Sequence, residues 1–151
     1  MRKLKAGKLA LSVIFIFFTA GSGFCADVDS EGWTLLQEGL YINEKSLYRS
    51  ADDKVSLWIT IVPEEGSDLM YDSRSHLMED GKIYETLKYD YTGVLSEIDC
   101  SSKRHRELIT IMYDVNKNIV DYAETSTASW KDIPSESSLN LVLTAACNQS
   151  L

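Results

Sequence analysis

Cys100 and Cys147 lie downstream of an N-terminal export signal, and that combination restricts the fold more than anything else in these 151 residues. An exported chain meets an oxidising compartment, where two thiols in one small domain are most simply read as one disulfide. Such a bridge closes a loop of about 47 residues and adds roughly 4 kcal/mol by the chain-entropy argument. That is a large share of a small domain's stability. Two free buried thiols are the alternative reading.

The signal itself is read from order. Arg2, Lys3, Lys5 and Lys8 come first, an apolar run spans Leu9 to Ala20, and small residues lead to Cys25 and Ala26. Basic, apolar, small is the layout of a secretory signal peptide. The run is too short for a spanning helix, which needs about 20 residues, so no stable membrane span is expected. Cleavage after Cys25 puts Gly23 and Cys25 at the small-residue positions, giving a leader of 1–25 and a domain of 26–151. Phe24 stands where a lipobox wants a small residue, so Cys25 is not read as a lipid anchor.

All 23 acidic residues but only 11 of the 15 basic ones follow residue 25, which leaves a net charge of −12. A chain so acidic repels phosphate backbones, and a nucleic-acid role is excluded.

The exported part reads as short strands with one helix at the end. Trp33–Leu36 and Leu40–Asn43 form a first hairpin around Gln37-Glu38-Gly39. Asn43–Ser50 reads as a turn or helical bend. Val55–Val62 alternates apolar and other residues with period two, the pattern of a strand with one buried face, and Pro63 ends it. The stretch 64–81 reads as a long loop with at most a short helix, and as a candidate binding loop. One or two strands follow in Ile83–Cys100, clearest over Thr92–Cys100. The strongest strand is Arg104–Asp114, returned by Ile119–Glu124 across Asn116-Lys117-Asn118. Ser135 is the expected N-cap of a helix whose face is Leu139, Val142, Leu143 and Ala146, with Cys147 near it. The sum is an α+β fold: one domain, an antiparallel sheet of about six strands, a C-terminal helix and one disulfide.

No catalytic motif is present. His76 and His105 are far apart and lack cysteine partners at zinc-site spacing. There is no nucleophile elbow, metalloprotease helix or phosphate loop. No metal, cofactor or catalytic residue is therefore expected, and the chain reads as a non-enzyme. Lys103, Arg104, His105 and Arg106 form the one basic cluster. They are a candidate patch for an anionic ligand, or simply a solvated turn. Tyr84, Tyr89 and Tyr91 mark either an interface or cross-strand packing.

The second half resembles the bacterial surface-adhesin protein E-like family. Glu97-Ile98-Asp99-Cys100 precedes a basic turn and a strand ending Met112-Tyr113-Asp114. Trp130-Lys131-Asp132-Ile133-Pro134-Ser135 and a short helix ending in Cys147 close the pattern. Trp33, Tyr41, Asn43, Ser46 and the Trp58 strand also fit, so the resemblance covers about residues 33–147. It implies an antiparallel sheet flanked by a C-terminal helix, the Cys100–Cys147 bridge, and export. Its characterised member is an adhesin for host matrix and serum proteins that forms dimers. The expectation is an exported, non-enzymatic binding module of the periplasm or outer surface, contacting a protein partner and a candidate homodimer. The alternative is a periplasmic binder of haem or another small anionic molecule.

Overall fold

The computed structural model describes residues 32–125 and 127–148. The proposed leader and Cys25 lie outside them. The strands are β1 (Trp33–Gln37), β2 (Leu40–Asn43), β3 (Tyr48–Arg49), β4 (Lys54–Ile61), β5 (Tyr89–Asp99), β6 (Arg104–Asp114), β7 (Ile119–Glu124) and β8 (Lys131–Asp132). Every pairing is antiparallel, in the order β1-β2-β4-β5-β6-β7. The two-residue strands β3 and β8 attach to β4 and β6. Among the described residues there are also a 3-10 turn at Glu44–Ser46 and three α-helices: α1 (Asp68–Glu79), α2 (Ile83–Thr86) and α3 (Ser138–Asn148).

Register explains which side becomes core, because directly opposed residues in antiparallel strands share a face. Val55, Leu57 and Ile59 oppose Ile98, Ser96 and Val94. Leu40 and Ile42 oppose Ile61 and Ile59. Onto this face α3 lays Val142, Leu143 and Ala146, forming the main cluster. Helix α1 covers the same side of the sheet at the β5–β6–β7 end. There Met70 and Leu77 pack with Tyr89 and Met112 in a second cluster. Both helices thus lie on one face.

The end of α3 is held twice. Cys100, just past β5, is bonded to Cys147. Arg49 of β3 donates from Nη2 to the Ala146 and Cys147 carbonyls, both at 3.1 Å, while its Nη1 pairs with Asp53 at 2.7 Å. A cation on the free carbonyls of a helix C-terminus satisfies unpaired acceptors and opposes the negative end of the dipole.

Three local expectations need correction. The stretch 64–81 is not mainly loop, since a 12-residue helix occupies it. Ser67 accepts from the Met70 N–H as its N-cap, and Gly81, at φ 77°, follows its end. Only Met70 and Leu77 of this helix are buried, seven residues apart, so the chain carries too sparse an apolar stripe to announce a helix. Second, residues 83–86 are helical, and the one strand of that region begins at Tyr89. Third, α3 starts at Ser138 rather than after Ser135. The Ser137 N–H and hydroxyl both bond the Pro134 carbonyl, and this turn delays the helix. The first hairpin closes as read. Gly39 has φ 73°, and a Cβ there would run into the Val62 carbonyl oxygen, so only glycine suits the turn.

Cys147→Ser should cost about 4 kcal/mol, lowering the melting temperature on the order of 10 °C or more, and reduction of the native protein should do the same. A melting curve indifferent to reductant would contradict the staple. Arg49→Met should cost about 2 kcal/mol by leaving two helix-end carbonyls without their charged donor; urea unfolding at fixed pH reads this directly.

Candidate functional site

The opposite face of the sheet carries no helix among the described residues. One row of opposed positions crosses all six long strands: Leu35, Tyr41, Thr60, Gly93, Ile111 and Tyr122. A second row sets Trp58 against Leu95 and Leu95 against Ile109. A third sets Tyr91 against Tyr113, whose rings stack at 4.7 Å with 15° between planes. Gly93 sits between them, where a Cβ would meet the Tyr113 ring at 3.4 Å and the Trp58 ring at 3.9 Å. The missing side chain lets large rings close over the middle of the sheet. At the rims Leu35 is 56% exposed and Tyr122 51%. The surface is broad, apolar and rich in aromatics, the composition favoured at the centre of protein interfaces.

Local hydrogen bonds fix this face at one corner. Asn43 accepts from the Ser46 N–H at 3.2 Å, and the Ser46 hydroxyl donates to the Asn43 carbonyl at 2.7 Å. That hydroxyl also accepts from the Trp58 N–H at 2.9 Å. Burial pushes the Tyr91 hydroxyl up in pKa, aided by Tyr113, Asp90 and Asp114, so the central phenol stays neutral.

The four basic residues do not share one surface. Lys103 is in the β5–β6 turn with φ 54°. Arg104 pairs with Asp132 at 3.3 Å and donates to the Trp130 carbonyl at 2.9 Å. Arg106 pairs with Glu97, with Nε at 2.6 Å, and lies 4.7 Å over the Trp130 ring. His105, one residue between them, points to the other side of β6 and is buried, with Nδ1 lacking a hydrogen-bond partner among the described residues. Burial lowers its pKa, so it is held neutral. Of the three tyrosines singled out in the sequence, Tyr89 is core, Tyr91 is on the open face, and Tyr84 is exposed on α2.

The covered side has an open groove of about 360 Å³ between the first residues of α1 and α3. Its floor is Ile59, Ile61, Val94 and Ser96, with Glu107 at one side. None of the four basic-cluster residues lines it.

The family described as Surface-adhesin protein E matches residues 33–148, and the chain belongs to that family. Two solved structures of Haemophilus influenzae protein E share the fold. One, crystal form II, superimposes with a TM-score of 0.53 at 11% identity, covering 78% of this chain and 87% of that one. The other gives 0.52 at 12% identity, covering 78% and 84%. No curated protein sequence matches.

The turn that presents the basic cluster depends on Asp99. Its Oδ1 accepts from the Ser101 N–H (3.0 Å), the Ser102 N–H (3.0 Å) and the Ser101 hydroxyl (2.7 Å). Those donors hold its pKa at about 2 against an ordinary 3.8. A depressed carboxyl stabilises the fold above its unfolded pKa and loses that contribution as pH falls through the folded one. Stability should therefore drop between about pH 4 and about pH 2, and Asp99→Asn should flatten that part of the profile. A mutant curve parallel to wild type, measured by denaturant titration at each pH, would contradict this role.

Proposed function

We propose that the chain is an exported, non-enzymatic binding module of the bacterial envelope whose open sheet face docks a protein partner. The observation that carries this is the open face around the row from Leu35 to Tyr122, which crosses six strands with no helix over it among the described residues. A sheet with one face in the core commonly turns a polar face to water; here that face carries Trp58, Tyr91, Tyr113, Ile109 and Ile111 instead. Membership of a surface-adhesin family supports binding rather than catalysis. The basic leader and apolar run support export, and no helix among the described residues is long and apolar enough to cross a membrane. The periplasm and the outer surface both suit such a module.

A second reading rests on the groove. Its volume, about 360 Å³, falls at the small end of the range for small-molecule sites. The lining favours an apolar ligand over haem or an anion, because Glu107 borders it and the basic cluster does not.

Photo-crosslinking in living cells separates these readings. A photoreactive residue at Leu35 or Tyr122 should give a discrete protein adduct, and an adduct of twice the chain's mass would make the partner a second copy. Adducts only from Tyr84 or Leu87, or none from any position, would overturn the open face as the docking surface.

A further inference from the structure

We infer that His76 of α1, Asp80 at the C-terminal cap of that helix and Asp121 of β7 bind one divalent metal ion of the zinc class at the seam between helix and sheet. His76 and Asp80 are four residues apart, which places both on the same face of a helix, one turn from the other. That face meets β7 at Asp121. One ligand atom from each of the three residues lies within 4.8 Å of the other two.

The distances favour coordination over hydrogen bonding. His76 Nε2 is 3.7 Å from Asp80 Oδ2 and 3.6 Å from Asp121 Oδ2. Both are too long for good hydrogen bonds, which lie at about 2.7–3.2 Å. Zinc takes nitrogen and oxygen ligands at 2.0–2.2 Å, and the edges of such a tetrahedron are roughly 3.3–3.6 Å. The two separations from His76 come within about 0.1 Å of that range, and the Asp80 and Asp121 ligand atoms lie within 4.8 Å of each other, so a small side-chain adjustment would bring all three around one ion.

The surroundings supply the support that metal ligands usually have. Lys82 pairs with Asp121 through Oδ1, leaving Oδ2, the oxygen that faces His76. A donor on the second oxygen orients a ligating carboxylate. Asp121 is only 13% exposed, while His76 is 57% exposed, so the ion would be anchored from the sheet and open to water on the helix side. Two carboxylates against one ammonium leave the pocket net negative before an ion arrives. An imidazole in the set selects zinc-like ions over magnesium and calcium, which prefer oxygen. Bound there, the ion would clip α1 to β7 and stabilise the folded state by mass action. Sequence spacing hides this site, since Asp121 lies 45 residues beyond His76.

The test is calorimetric titration of zinc chloride into the untagged, oxidised exported protein after chelator treatment, with melting followed in parallel. We expect one ion per chain and a zinc-dependent rise in melting temperature. His76→Ala and Asp80→Asn should each weaken binding at least about tenfold and remove that rise. Both positions are half-exposed, so both variants should melt like wild type in chelator, and either alone decides the question. Absence of saturable binding to wild type, unchanged affinity in either variant, or equal affinity for magnesium would overturn the site.

Discussion

The clamp on the end of α3 is the constraint on which the rest depends. A disulfide from Cys100 and two hydrogen bonds from Arg49 hold the last turn of that helix against β3 and the end of β5. With the helix fixed, Val142, Leu143 and Ala146 have one place to go: the face formed by Leu40, Ile42, Val55, Leu57, Ile59 and Ile98. Because side chains in a strand alternate, choosing that face as core commits Trp58, Leu95 and Ile109 to the other. The open aromatic surface is therefore a consequence of the same register that builds the core.

The two helices divide the covered face unequally. Helix α3 seals a large aliphatic cluster and is bonded covalently to the sheet. Helix α1 contributes only Met70 and Leu77 to a smaller cluster. Its remaining link to the sheet is polar, through His76, Asp121 and the Lys82 just beyond its end. A metal clip at that seam would supply to α1 what the disulfide supplies to α3. The groove of about 360 Å³ opens where the two helices begin, between their first residues.

Much of this was legible in the sequence, for identifiable reasons. Val55, Leu57 and Ile59 alternate strictly, so β4 and its buried face could be read directly. Arg104–Asp114 and its partner strand were legible because Asn116-Lys117-Asn118 tolerates the turn, in which Lys117 adopts φ 65°. The disulfide followed from export and cysteine number. What could not be read depends on long-range pairing. The row from Leu35 to Tyr122 exists only once six strands are in register, and no local pattern marks it. Helix α1 escaped because most of its apolar residues, Leu69, Tyr71 and Met78, face solvent, so its buried stripe is two residues long. The basic cluster reads in the sequence as a patch or a solvated turn because three cations and a histidine are adjacent. On a strand, adjacency means opposite faces, and His105 is buried while Arg104 and Arg106 engage Asp132 and Glu97.

Amide hydrogen exchange of the oxidised and reduced protein tests the central claim most directly. If the clamp on α3 sets the faces of the sheet, reduction should strip protection from α3 and from β2 and β4 beneath it. Protection of α1 over Tyr89 and Met112 should persist. Unchanged protection of α3 on reduction, or loss confined to α1, would contradict the account.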